Sequence, residues 1–233
     1  MAFTEKRGPK PIAMNPNLPG EHLYTTQTHP YFRAPHLYIA LPTRYILNRG
    51  GDGNGAASER NATDILFMST RAGSDHFDRP FTEAFIRPGL DPKRWDNRAN
   101  YVALNVHPTG PAEMSIYHRS GDRYVLRTDG FVSAYAGSKT GRLLTKPFRF
   151  SGDTLELNAS TSAAGQIQVE IQDSEGKAFP GFEFENSIPL FGDGIALKAS
   201  WKNEVSLSSL KGKTVQLKFS LLECDLYSYR FKE

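Results

Sequence analysis

Val215-Gln-Leu-Lys-Phe-Ser-Leu221 alternates without a break: Val215, Leu217, Phe219 and Leu221 are apolar, with Gln, Lys and Ser between them. The same period of two runs through Leu155, Leu157 and Ala159, through Ile167, Val169 and Ile171, and through Tyr227, Tyr229 and Phe231. Side chains two apart share one face of a strand, so the pattern predicts antiparallel strands with one face on a core and the other in water. Turn chemistry separates them. Asp173-Ser-Glu-Gly176 reads as a hairpin connection and Lys211-Gly-Lys213 as a tight turn. Short strands that recur with no helix between them predict a β-sandwich over residues 136–233.

Residues 1–135 carry less regular strand signals. His36-Leu-Tyr-Ile-Ala-Leu41, Asp64-Ile-Leu-Phe-Met-Ser-Thr70, Tyr101-Val-Ala-Leu-Asn-Val106, Glu113-Met-Ser-Ile-Tyr-His118 and Tyr124-Val-Leu-Arg-Thr128 read as strands joined by long polar connections. No window longer than about ten residues keeps helical spacing without a Gly or Pro. Gly50-Gly-Asp-Gly-Asn-Gly55 lacks the Lys-Ser/Thr and helix start of a phosphate loop. Short strands with charged loops at one end suit propeller blades. The run Ala136-Gly-Ser-Lys-Thr-Gly141 reads as a small-residue linker between two domains, 1–135 and 136–233.

Composition narrows the function classes. The 233 residues are 39% hydrophobic and 23% charged, with 15 Phe and 10 Tyr, which excludes a disordered or low-complexity chain. A single Cys, Cys224, excludes an internal disulfide and every Cys-based zinc cluster; beside Leu221, Leu222 and Leu226 it reads as a buried hydrophobe. No apolar run of ~18 residues spans a membrane, and Met1-Ala-Phe-Thr-Glu-Lys-Arg7 shows no secretory h-region. Residues 1–135 hold 16 Lys and Arg, 13 of them Arg, and all six His; residues 136–233 hold nine Lys, three Arg and no His. Planar Arg and His suit ligand recognition, whereas Lys mostly solvates surfaces. The first part therefore reads as site-bearing and the second as scaffold, with Arg-rich surface loops the plainer alternative. Cations alternate with acids, so no nucleic-acid face is read.

Several runs together resemble a known group. They are His29-Pro-Tyr-Phe-Arg-Ala-Pro-His36, Glu83-Ala-Phe-Ile-Arg-Pro-Gly-Leu-Asp91, Arg127-Thr-Asp-Gly-Phe-Val-Ser133, Thr161-Ser-Ala-Ala-Gly165, Gly192-Asp193 and Asp225-Leu-Tyr-Ser228. The chain resembles bacterial proteins related to the five-bladed β-propeller glycosidases of glycoside hydrolase families 32 and 43. The resemblance implies an all-β chain: the late blades of a partial propeller over 1–135, followed by an antiparallel β-sandwich over 136–233. It implies a glycoside-hydrolase-like, carbohydrate-active protein, or else a non-catalytic carbohydrate-binding module acting with a partner chain. The family's first blades would precede Met1, so the chain resembles a C-terminal portion. Open blade edges then call for self-association or a companion segment.

Glycoside hydrolysis needs two carboxylates across the scissile bond. Glu113, at the start of an apolar strand, is the candidate acid, with a rim Glu–Arg pair as the plainer reading. Asp75-His76-Phe77-Asp78-Arg79 gathers two carboxylates, an imidazole and a guanidinium able to bond sugar hydroxyls, or else forms a polar turn. Asp75 and Asp78 are candidates to orient or stabilise the sugar. His29, Arg33 and His36, beside Tyr31 and Phe32, suit stacking and hydroxyl recognition, or shape a Pro-bounded strand. Arg71, His76, Arg79 and Trp95 complete the candidate substrate-binding set, Trp95 as a platform or a packing plug. No spacing points to a metal or another cofactor, and no Gly-x-Ser-x-Gly nucleophile elbow is present. Asn61-Ala-Thr63 and Asn158-Ala-Ser160 fit the glycosylation sequon.

Overall fold

The computed structural model describes residues 21–46, 63–88 and 100–233, together with the two short strands β1 (Thr4–Glu5) and β2 (Gly8–Pro9), which pair with each other. The fold is all-β and antiparallel. Among the described residues there is no α-helix; two 3-10 turns, Lys202–Glu204 and Leu207–Leu210, are the helical elements. The chain divides into two compact units, Met1–Arg127 and Thr128–Glu233.

Among the described residues, the first unit holds three three-stranded sheets besides the β1–β2 pair. One orders β3 (Glu21–Tyr24), β6 (Thr43–Ile46) and β7 (Thr63–Ile65); the second orders β4 (His29–Tyr31), β5 (Ala34–Ala40) and β8 (Met68–Arg71); the third places β10 (Glu113–Tyr117) between β9 (His107–Gly110) and β11 (Arg123–Arg127). Two-residue steps carry the chain between the first two sheets: Leu41-Pro42 from β5 to β6, and Leu66-Phe67 from β7 to β8. The steps are bonded together, since Leu66 N donates to Pro42 O at 3.0 Å. Leu41, Leu66 and Phe67 are buried there. The single strand expected over residues 64–70 is thus two strands in different sheets. Residues 101–106 are also not a strand. Val102 alone bridges to His118, because Asn105 has φ +76, a left-handed turn that ends extended backbone.

The second unit is built on one curled, half-barrel sheet. Its centre is the pairing of β14 (Thr154–Gln172) with β16 (Gln216–Lys232). The alternating runs at 155–159 and 167–171, expected as separate strands, are one strand of 19 residues, and those at 217–221 and 227–231 fall on one of 17, with Val215 bridging Phe148 just before it. On one side β15 (Asp193–Lys198) pairs with β14; on the other, β12 (Ala134–Ala136) and β13 (Gly141–Leu144) both pair with β16. The small-residue run 137–140 is the turn between β12 and β13. The apolar set Leu155, Leu157, Ile167, Val169, Ile171, Leu217, Phe219 and Leu221 faces inward and is almost completely covered, each such side chain contributing roughly 1.5–3 kcal/mol. Trp201 lies in the same core, donating its indole N–H to Val169 O at 2.9 Å and meeting Phe182 edge-on.

The central ladder is interrupted twice: between Asn158 and Ala159, where the partner strand skips Tyr227, and more widely between Thr161 and Gln166. Thr161 pairs with Cys224 and Gln166 with Leu222, so residues 162–165 bulge out opposite Glu223. Glu223 takes φ +43 and donates its N–H to Gly137 O at 3.0 Å. Ser162-Ala-Ala-Gly165 is small because the bulge presses on the partner strand: a Cβ on Gly165 would lie 2.3 Å from Glu223 O and 2.8 Å from Leu222 O. Gly165→Ala is therefore expected to lower the unfolding free energy of the second unit by about 1–3 kcal/mol. Denaturant unfolding followed by tryptophan fluorescence measures it, with exposed Ala163→Ser as the unchanged control.

Candidate functional site

Among the described residues of the first unit, four charged side chains meet in its interior. Arg44 on β6 donates Nε and Nη2 to the two Asp64 carboxylate oxygens on β7, at 2.8 and 2.7 Å, a bidentate fork. Its Nη1 donates to Glu21 Oε1 on β3 at 2.9 Å and to Thr82 O at 2.7 Å. Arg79 binds Glu21 from the other side, Nη1 to Oε2 at 2.6 Å. The side chains of Glu21, Arg44, Asp64 and Arg79 are all buried, none more than 4% exposed. Burial opposes the Arg44 charge, yet the Asp64 and Glu21 carboxylates outweigh it and hold the guanidinium protonated above its ordinary range. Two arginines against two carboxylates make the set neutral, so it locks the three-stranded sheet to the segment 79–82. Neither carboxylate is left free for chemistry.

That assignment splits the Asp75–Arg79 cluster. Arg79 points inward, while Asp75, His76 and Asp78 face solvent. His76 Nε2 and Asp78 Oδ1 are 3.8 Å apart with both side chains about three-quarters exposed, so their attraction is screened and weak. The loop is held through its backbone: Thr70 Oγ1 donates to His76 O at 2.6 Å, Ala72 N to His36 O at 2.8 Å, and Ser69 and Asp78 exchange both bonds. These bonds, with the two-residue turn Phe32-Arg33, gather Arg33, His36, Arg71, Asp75, His76 and Asp78 at one end of the sheet β4–β5–β8. His29 does not join them. It is 5% exposed, donates Nδ1–H to Gln27 O at 2.8 Å and accepts Val106 N–H on Nε2 at 3.1 Å. Both ring nitrogens are engaged in holding the unit together. Tyr31 is likewise buried, its hydroxyl 3.6 Å from Met114 Sδ. Trp95 lies outside the described residues.

Glu113 stands on the outer face of the third sheet. Register places His107 and Thr109 of β9, Glu113, Ser115 and Tyr117 of β10, and Arg123, Val125 and Arg127 of β11 on that face, with Met114 and Ile116 inward. Glu113 Oε1 accepts from Thr109 Oγ1 at 2.8 Å and from the Arg123 guanidinium. Arg123 Nε donates to Ser115 Oγ at 2.9 Å, and Ser115 and Thr109 hydroxyls are 2.7 Å apart. The His107 and Tyr117 rings are 6.0 Å apart beside this network. No hydrogen bond or ion pair joins Glu113 to Asp75 or Asp78. The half-exposed network thus offers one charged pair, hydroxyls and two rings on one surface.

Sequence reasoning missed Glu21, Arg44 and Asp64, which lie far apart in the chain and meet only through strand pairing; it also missed Thr109 and Arg123. Period two on β10 and β11 carried the signal for the latter. The runs 127–133 and 225–228 interlock in the second unit. Ser133 Oγ donates to Asp225 Oδ1 at 2.6 Å, Ser228 Oγ to Asp129, and Asn158 Nδ2 to Thr128 O at 2.7 Å. Asn158 is buried, which removes that sequon as a glycan acceptor. Cys224 is also buried; desolvation, with the nearby Asp225 charge, raises its thiol pKa and keeps it protonated.

Arg44→Met leaves Asp64 buried without its cation and is expected to cost about 3–5 kcal/mol in denaturant unfolding; adding Asp64→Leu should recover part of that loss. The His29 pKa is lowered, first by burial and further by His107, against the Gln27 carbonyl bond. The unfolded chain then takes up this proton nearer pH ~6.5, and the folded one only below that. His29 should contribute full stability above pH ~6.5 and lose it as pH falls, when the protonated ring can no longer accept from Val106. Melting curves between pH 8 and 5 should show a steeper acid decline for the native chain than for His29→Gln. Comparison with protein-family models, curated proteins and solved structures returned no match.

Proposed function

We propose that this chain is a carbohydrate-active, glycoside-hydrolase-like protein, its first unit the late blades of a five-bladed-type propeller and its second a C-terminal β-sandwich. The blade reading is supported by the three separate three-stranded sheets of the first unit, where a single continuous sheet would speak against it. For the sandwich reading the support is the antiparallel pairing and the apolar core of the second unit, which has one curled sheet where a sandwich stacks two.

The observation that carries the function is the outer face of β9–β11. A carboxylate, a guanidinium, hydroxyls and two aromatic rings stand together there, and that combination matches the hydroxyl edges and apolar faces of a pyranose or furanose. In this reading Glu113 protonates the leaving oxygen, and Asp75 or Asp78 orients or stabilises the sugar, with Arg33, His36, Arg71 and His76 contributing hydroxyl contacts. A second reading, a non-catalytic binding module, is favoured by the engagement of Glu113 with Arg123 and Thr109, which suits recognition better than proton transfer. Open blade edges would be covered by self-association or a companion segment.

Incubation of the full chain with chromogenic fructosides, arabinosides, xylosides and galactosides separates the two. Turnover that falls about 10²–10⁴-fold in Glu113→Gln is expected for the hydrolase. Equal turnover in both proteins removes Glu113 from the chemistry. Glycan retention without turnover assigns the module, and neither turnover nor retention overturns the carbohydrate proposal.

A further inference from the structure

The second unit carries a groove of about 450 Å³ beside the 162–165 bulge, its lining including Tyr135, Ser160, Thr161, Ser162, Glu223 and Asp225. Strand register explains its chemistry. Ala134, Leu226 and Ala159 form one cross-strand row and turn inward, whereas the next row, Tyr135, Asp225 and Ser160, turns outward into the groove. An antiparallel sheet repeats this alternation, but the bulge at 162–165 then adds Ser162 and Glu223 to the same opening. Tyr135 is 73% exposed, although aromatic rings are ordinarily covered.

We propose that this groove is a binding site for a neutral saccharide, separate from the β9–β11 face; the ligand class rests on the proposed function. Tyr135 supplies a stacking ring. Glu223 and Asp225 supply acceptors: each has one oxygen bonded to a serine, Ser162 and Ser133, and the other oxygen has no protein partner among the described residues. Serine and threonine hydroxyls supply groups that both donate and accept. The volume lies within the range of small-ligand sites, roughly 300–1,000 Å³. Two carboxylates and no Lys or Arg line the groove, so uronic and sulfated sugars are repelled. A metal ion fits less well, since among the described residues no third ligating side chain joins the two carboxylates.

Calorimetric titration of the full chain with cello-, xylo-, malto- and fructo-oligosaccharides, and with oligogalacturonate as the anionic comparator, tests this site. At least one neutral oligomer should bind, and oligogalacturonate should not. Tyr135→Ala, which removes no core contact and should keep its melting temperature, is expected to weaken binding about tenfold or more, with Tyr135→Trp restoring it. Asp225→Ala should weaken it as well. Binding that survives Tyr135→Ala and Asp225→Ala overturns this site; if that binding falls in Glu113→Gln, the proposed function stands without it. No binding by any oligomer overturns both.

Discussion

The antiparallel register between Thr154–Gln172 and Gln216–Lys232 fixes most of what the second unit does. Two strands of such length would form a regularly twisted ribbon if the ladder ran without interruption. The four-residue excursion opposite Glu223 instead bends both strands, and it does so at the one place where Gly165 lets backbone meet backbone. On either side of the break the inward positions stay apolar and the outward ones polar. The core is therefore continuous while the outer face opens into a groove. A bulge is usually a local device; here it also decides where hydroxyls, carboxylates and an exposed tyrosine collect.

Electrostatics play the corresponding role in the first unit. Glu21, Arg44, Asp64 and Arg79 come from three strands and a loop and are removed from water together. Such a set adds little net stability against an apolar replacement, because desolvation offsets most of the Coulombic gain. Its effect is on specificity of arrangement. A slip of register in β3, β6 or β7 would strand a charge in the interior, so the alternative pairings of these short strands are disfavoured. The same network takes Arg79 out of the surface cluster and leaves Asp75, His76 and Asp78 at the end of the second sheet. His29 does similar work with neutral chemistry, joining β4 to the chain at Val106 through a buried imidazole.

Two kinds of surface thus result from one alternation rule. On β9–β11 the outward positions carry Glu113, Arg123, Thr109 and the His107 and Tyr117 rings, a flat polar face with its charges paired. In the second unit the outward row is interrupted, and its carboxylates keep open acceptor positions. The Lys-rich composition of residues 136–233 concealed this, since the groove is made by Tyr, Ser, Thr, Asp and Glu and not by the cations that composition weighs.

The sequence by itself determined the strand character of both parts, because period two is a local property and needs no partner to be read. It also determined the core side chains of 155–159, 167–171 and 215–221 and the burial of Cys224, whereas at 226–231 the ladder skips Tyr227, so that Leu226 is core and Tyr229 stays partly exposed. Tertiary structure alone decided how the strands join. Nothing within residues 64–70 announces that Leu66 N bonds Pro42 O and sends the two halves to different sheets. Nor does a five-residue cluster reveal that Arg79 turns inward to a glutamate 58 residues away. Pairing partners far apart in the chain are set by the competition among whole registers, and that competition is settled only when the charges are buried and the bulge has closed.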